Sequence, residues 1–449
     1  MKKIIRKSQT TQTTNSSDNF QIAKKVFLKN ATVIDGKNKN EHQSDLLIID
    51  GKIAELKPQI DLSPDFDGEK IDLTDKIVMP GFLDLHVHFR EPGREDEETI
   101  LSGAQAAMAG GFSAVCTMPN TQPVTDNRET VEFILDEIKD HLLTIYPIAA
   151  ITRGQQGAEL VEMAELIDAN VVAFSDDGKS VANSLVLRRA MEYARMFDVP
   201  IIEHCADAAL AADGDMHEGF VSTNLGLRGI PSIAEDVIVA RNLLLAKYTN
   251  SKLHIAHIST AGSVELVRRA KQDGIAVTAE AAPHHFTLTD EAIRSFDANF
   301  KMNPPLRSQE HVQAVIEGLK DGTIDAIATD HAPHSIEEKE VEFSAAPFGI
   351  IGLETAISLV IQQLVAPGIL NWHQVVEKMC LHPHQIIGLP FPQVKKGEQA
   401  NLTIIDPNAA WIVTKERLLS KSKNTPFMGR KFTGKAIVVF NNGFYYQSR

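Results

Sequence analysis

The 449-residue chain is poor in the features that mark several protein classes. It has three cysteines, Cys116, Cys205 and Cys380, and no two of them form a CxxC pair. That argues against a disulfide framework or a thiolate zinc site, and a reducing cytoplasmic setting is expected. No stretch of about 18 apolar residues occurs, so no membrane span is expected. Positive charge is scarce: 45 Lys and Arg stand against 59 Asp and Glu, a net charge of −14. A surface of that sign does not attract nucleic acid or an anionic membrane. An anionic substrate would have to meet positive charge concentrated locally, on a metal or a placed Arg. There is no internal repeat beyond strand–helix alternation, and no low-complexity segment beyond the polar N-terminus. That N-terminus begins MKKIIRK, like a signal peptide, but no apolar segment follows. We read residues 1–24 as a disordered polar tail, with a Ser/Thr-rich organellar transit peptide as the alternative.

What is present is an ordinary globular composition, 43% hydrophobic and 23% charged. Residues 26–34, 46–50 and 52–56 read as short strands with Gly-marked turns, and so do 401–405, 411–413 and 435–440. Two all-β flanks around a long middle predict one small β-sandwich built from both chain ends, over 25–78 and 392–449. The middle, 79–391, alternates apolar strands with amphipathic helices. Eight strands are expected, at 81–88, 113–118, 144–150, 171–175, 199–204, 252–257, 275–280 and 324–329. Such alternation implies a parallel sheet, and eight units imply an α/β fold of the closed (β/α)8 TIM-barrel kind.

The chemistry-bearing residues gather at the C-terminal ends of these strands. The first ends DLHVHFREPG, and His86 and His88, two apart, point to one side of it. Two imidazoles at a barrel mouth make a metal pair, although an HxH alone is more often ordinary packing. The fourth strand ends FSDDG with Asp176 and Asp177, otherwise a common turn or cap. The fifth ends at His204. The sixth carries His254 and His257, three apart and so on opposite faces, which lets at most one enter the mouth. The eighth ends IATDHAPH with Asp330, His331 and His334. Each residue alone has a bland structural reading. Together they put His and Asp on five strand ends of the rim where barrels place catalytic groups. Four His and two Asp can hold two divalent metals, without fixing the metal's identity.

HVHFREPG, MPNT, FSDDG, HIST, KMNPPLR, TDHAPH and APFG, in that order, resemble the bacterial type I dihydroorotases of the amidohydrolase superfamily. The resemblance implies that His86, His88 and Asp330 hold one metal, that His204 and His257 hold a second, and that Asp177 stands between them. It implies zinc, one or two per subunit, or another divalent cation. It assigns His88, Arg90, Asn120, Asn303 and His334 to the substrate, with backbone contacts from Phe348 and Gly349. Arg90 bracing Glu91 or another loop acid is the plainer reading, and turn formation beside Pro is the plainer one for Asn120 and Asn303. Other branches of the superfamily bridge their metals with a carboxylated Lys at the end of strand four. Here that strand ends in two Asp, and the nearest Lys is Lys179, beyond a Gly. The charged segment 332–346 could form a mobile loop over the site.

The implied reaction is reversible ring closure of N-carbamoyl-L-aspartate to L-dihydroorotate and water, a step of pyrimidine biosynthesis. Metal-activated water would attack in the hydrolytic direction, with Asp330 as base and then acid. The alternatives are another cyclic amidase, an allantoinase or dihydropyrimidinase, and a non-catalytic partner of aspartate transcarbamoylase. The resemblance also implies a homodimer and association with a transcarbamoylase.

Overall fold

The computed structural model describes residues 20–35 and 40–448. Eight parallel strands follow one another around a ring: β1 Phe82–Val87, β2 Phe112–Thr117, β3 Thr144–Ala149, β4 Ala173–Ser175, β5 Ile201–Glu203, β6 Leu253–Ile255, β7 Val277–Ala281 and β8 Ala326–Ile327. The ring closes where Val87 bridges His331 in parallel register and the His88 N–H donates to His331 O at 2.8 Å. Strands buried on both faces explain the continuous apolar runs. Leu83, Ala114, Cys116, Ile148, Ala173 and Ile202 fill the interior. Phe112, Val115, Phe174, Ile201 and Leu253 pack outward against helices. Ile386 and Ile387, from the helical segment after β8, join the interior cluster.

The helices start and stop where local chemistry tells them to. The helix Ile100–Gly110 opens with a capping box between Thr99 and Ser102 and closes on Gly111, at φ 96°. Only glycine adopts that φ freely, and a Cβ there would lie 2.8 Å from Ala436 Cβ. Thus the helix end is pressed against the second sheet.

That second sheet has nine strands drawn from both ends of the chain. The strand Ile77–Pro80 joins its two halves, running parallel to Lys25–Asp35 and antiparallel to Leu402–Ile412. The strands form one hydrogen-bonded sheet, and residues from both halves (Leu46, Val78, Phe440 and Tyr445 among them) share one core. Residues 1–19 of the expected tail lie outside the described residues. Its last part is a strand: Phe20–Ile22 pairs with Phe444–Gln447 because Phe20 is buried against the rings of Phe444 and His141.

The charged segment 332–346 is tied down by two buried lysines. It contains the short helix Ile336–Lys339. Lys339 Nζ donates to the carbonyl oxygens of Pro347 at 2.9 Å, Gly349 at 3.0 Å and Lys301 at 3.3 Å. Lys301 Nζ in turn donates to Phe343 O at 2.9 Å and pairs with Asp215 at 3.1 Å. Burial, with the neighbouring Lys301 cation, pushes the Lys339 pKa down to about 7.

The sign of the resulting pH dependence follows from linkage. Above pH 7 the folded chain has released the Lys339 proton, while the unfolded chain keeps it up to about pH 10.4. Lys339 therefore penalises folding in full below pH 7, and the penalty is relieved as the pH rises towards 10. Denaturant unfolding at several pH values should show wild-type stability rising more steeply than that of Lys339→Met across this window. The excess slope should be at most about 1.4 kcal/mol per pH unit. Equal slopes would show that Lys339 is not so perturbed.

Candidate metal centre

The expected metal ligands meet at the C-terminal mouth of the barrel, and all are buried. His86 lies within β1, and His88 follows its end. Asp177, His204, His257 and Asp330 follow β4, β5, β6 and β8 within three residues. His257 and Asp330 take left-handed φ values of 31° and 49°, sharp turns off their strands that are uncommon for residues with a side chain.

Asp177 sits at the middle of the group. Its Oδ1 is 3.3 Å from His86 Nε2, 3.5 Å from His257 Nε2 and 3.9 Å from His204 Nδ1, and its Oδ2 is 3.5 Å from His88 Nε2. Asp330 Oδ1 is 3.2 Å from His88 Nε2 and 3.7 Å from His86 Nε2. Two triads, His86–His88–Asp177 and Asp177–His204–His257, each bring one ligand atom per residue within 4.8 Å of the others. His86 Nε2 and Asp177 Oδ1 are buried, close, and make no hydrogen bond. Orphaned buried acceptors are costly unless something else satisfies them. Nitrogen and carboxylate donors with no thiolate suit a divalent cation.

Protonation favours the same reading. Burial opposes ionisation of Asp177, but the charge of the adjacent His86 outweighs it and holds its carboxyl well below the usual range. Asp330 is held low against burial by His88 and His86. Burial and the neighbouring His257 bring His204 down to about 4, and burial also lowers His88. His88 and His204 are neutral and these carboxylates ionised at neutral pH, the forms that bind metal, while Asp177 and Glu280 raise the pKa of His86 against its burial.

The remaining expected residues surround this group. Asn120 Oδ1 accepts from His88 Nδ1 at 2.8 Å, and Asn303 Nδ2 donates to His204 Nε2 at 3.2 Å. Both Asn thus touch imidazoles of the expected ligand set directly. Arg90 Nε donates to Pro333 O at 3.0 Å and pairs with Glu97 at 3.1 Å, while its Nη2 is 3.3 Å from His334 Nε2. The bracing of a loop acid is therefore present, with Glu97 as the partner and not Glu91. Glu91 instead accepts from the Ile100 N–H at the start of the following helix. His334 Nε2 donates to Phe348 O at 2.9 Å, and Gly349 O accepts from Lys339. Asp176 accepts from the backbone of Ile151 and Thr152 and from the Thr152 hydroxyl, a structural task. Lys179 is exposed.

Sequence reasoning missed three buried acids. Glu280 in β7 stands behind His86, 2.8 Å from its Nδ1. Glu97 holds both Arg90 and His334. Asp84 accepts from the N–H groups of His86 and Thr329, tying β1 to β8. Glu280 offered one signal, a charged residue inside the otherwise apolar run VTAEA. His254, correctly separated from His257 by strand alternation, bonds to Glu280 and Thr278 inside the barrel.

Residues 75–263 match the family model described as dihydro-orotase-like. A dihydroorotase of Pelotomaculum thermopropionicum is 52% identical over 410 residues, 91% of this chain and 95% of that protein. One of Geotalea daltonii is 50% identical over 419 residues, 93% and 98% of the two chains. Among solved structures, an L-hydantoinase (dihydropyrimidinase) from Arthrobacter aurescens superposes with a TM-score of 0.80 at 24% identity, over 93% of this chain and 94% of that one. A dihydropyrimidinase from Brevibacillus agri NCHU1002 gives 0.79 at 19% over the same shares. These structures share the fold.

The geometry separates Asp177 from Lys179 experimentally. Asp177→Ala should lose bound divalent metal by elemental analysis, while Lys179→Ala should retain it. The opposite order would mean that the central bridge had been misidentified.

Proposed function

The chain belongs to the dihydroorotase family, and from that premise we propose that it is a metal-dependent cyclic amide hydrolase interconverting L-dihydroorotate and N-carbamoyl-L-aspartate. The observation that carries this reading is Asp177 set between two pairs of imidazoles, with Asp330 beside it. His86, His88 and Asp330 would hold one cation, His204 and His257 a second, and Asp177 would face both. Zinc is our choice of metal, at one or two per subunit. Such a cation acidifies bound water towards a pKa of about 7 and polarises a carbonyl.

The protein's own groups then have defined tasks. Asp330, held ionised beside His88, accepts the proton of the attacking water. It returns that proton to the ring nitrogen as the amide C–N bond breaks, and the reverse sequence closes the ring. Arg90, braced by Glu97, pairs with the substrate carboxylate. Asn120, Asn303, His88 and His334 complete the polar wall, and the backbone of Phe348 and Gly349 contacts the ring. The other cyclic amidases, allantoinase and dihydropyrimidinase, are disfavoured by the exposed Lys179 and by Asp177 at the bridging position. A non-catalytic role is disfavoured by the complete set of ligands.

Substrate choice tests the proposal. Wild type should prefer dihydroorotate to dihydrouracil, which lacks the carboxylate, by at least about 10²-fold in kcat/KM, since an unpaired buried Arg adds to the lost charge-assisted bond. Arg90→Met should erase most of that preference, and Asp330→Asn should cost about 10²–10⁴-fold in both directions. Comparable rates on the two rings, or a loss under about tenfold in Asp330→Asn, would overturn these assignments.

We further propose a cytoplasmic homodimer that also associates with aspartate transcarbamoylase. Three buried free cysteines fit a reducing compartment. The helix Ile233–Thr249 exposes Ile233, Val237, Leu244 and Tyr248 along one stripe, the kind of apolar patch that marks protein contacts. Light scattering should give twice the chain mass, rising further when a transcarbamoylase is added. A monomer indifferent to that addition would refute both associations.

A further inference from the structure

His86 differs from the other imidazoles of the centre in what stands behind it. His86 Nδ1 donates to the carboxylate of Glu280 at 2.8 Å. His88 Nδ1 meets only the neutral amide oxygen of Asn120. His257 Nδ1 is buried without a hydrogen-bond partner among the described residues, and His204 Nδ1 faces His257 Nε2 at 3.0 Å. A carboxylate is therefore supplied to one ligand of the four.

Glu280 is itself held in place. It is 1% exposed, and its second oxygen, Oε2, accepts from His254 Nε2 at 3.1 Å. His254 is fully buried, and its Nδ1 lies 2.8 Å from Thr278 Oγ1. The fold dictates this arrangement. Thr278 and Glu280 are two apart on β7 and so project to one side, and the parallel register sets His254 of β6 beside Thr278. Half-buried Thr278 and buried His254 and Glu280 thus form a series ending on His86.

The chemical consequence lies in the tautomer. A carboxylate can only accept, so the proton of a neutral His86 must sit on Nδ1, which leaves the Nε2 lone pair free. That atom faces Asp177 Oδ1 at 3.3 Å and Asp330 Oδ1 at 3.7 Å. We propose that Glu280 is a positioning residue of the metal centre, which fixes His86 in this tautomer and strengthens it as a ligand, and that His254 holds Glu280 to that task. The inference rests on the metal reading of the site given above and is independent of the substrate.

The test is zinc affinity, measured by competition between the metal-stripped protein and a chromogenic chelator. Partners behind metal-ligating histidines are typically worth about 10–100-fold in affinity. Glu280→Gln, which keeps the shape and loses the charge, should weaken Zn²⁺ binding about tenfold, and Glu280→Leu about a hundredfold. His254→Asn leaves Glu280 in place and should lose less than Glu280→Gln. The visible spectrum of the Co²⁺-loaded protein should change in the Glu280 variants, a response that a merely structural role would not produce. Circular dichroism establishes that each variant is folded, and if Glu280→Leu is not, the Gln and Asn variants decide. Folded variants that bind Zn²⁺ as tightly as wild type, with an unaltered Co²⁺ spectrum, would overturn this inference alone. A wild type that binds no Zn²⁺ would overturn the metal reading and this inference with it.

Discussion

A buried carboxylate among four imidazoles is the interaction on which the site depends. Asp177 cannot be carried into a barrel interior as a lone ion without a large desolvation cost. It is tolerable there because His86, His88, His204 and His257 approach it from three other strands. His86, whose pKa Asp177 and Glu280 raise, sets charge against that of Asp177, and the other three imidazoles offer polar ring nitrogens in place of water. The backbone turns at His257 and Asp330, strained for residues with side chains, are the local cost of that convergence.

The barrel was legible because its strands are apolar on both faces and its helices carry clear start and stop chemistry. All eight expected strands are present, though β8 is reduced to Ala326–Ile327 within the expected 324–329. The convergence of the expected metal ligands on one rim was legible for a different reason. A parallel barrel puts every strand end on one rim, so position in the sequence translates into position in space. His254 and His257 illustrate the rule, since three-residue spacing sends one to the mouth and the other to Glu280.

Groups standing behind the buried imidazoles and Arg90 were not legible. Glu280 lies within a strand and touches His86 across 194 residues of sequence, and no local pattern encodes such a pairing. Glu97 reads as one acid in the run REDEE and gives no sign that it holds both Arg90 and His334. Arg90 shows how two readings can coexist: it braces a loop acid and faces the acidic centre. The segment 332–346 reads as a loose charged loop because its anchors are lysines, whose Nζ groups donate to carbonyl oxygens instead of water.

The strand Ile77–Pro80 carries an implication for biosynthesis. It leads directly into β1, yet one of its two hydrogen-bonded edges is completed by Leu402–Ile412, which leaves the ribosome more than 300 residues later. Throughout that interval the nascent chain presents an open, wholly apolar strand edge, the kind that recruits a neighbouring chain. A product released before residue 402 would keep that edge permanently. The same strand that seals the finished molecule thus makes an incomplete one adhesive, and the chain's last strands act as its closing step.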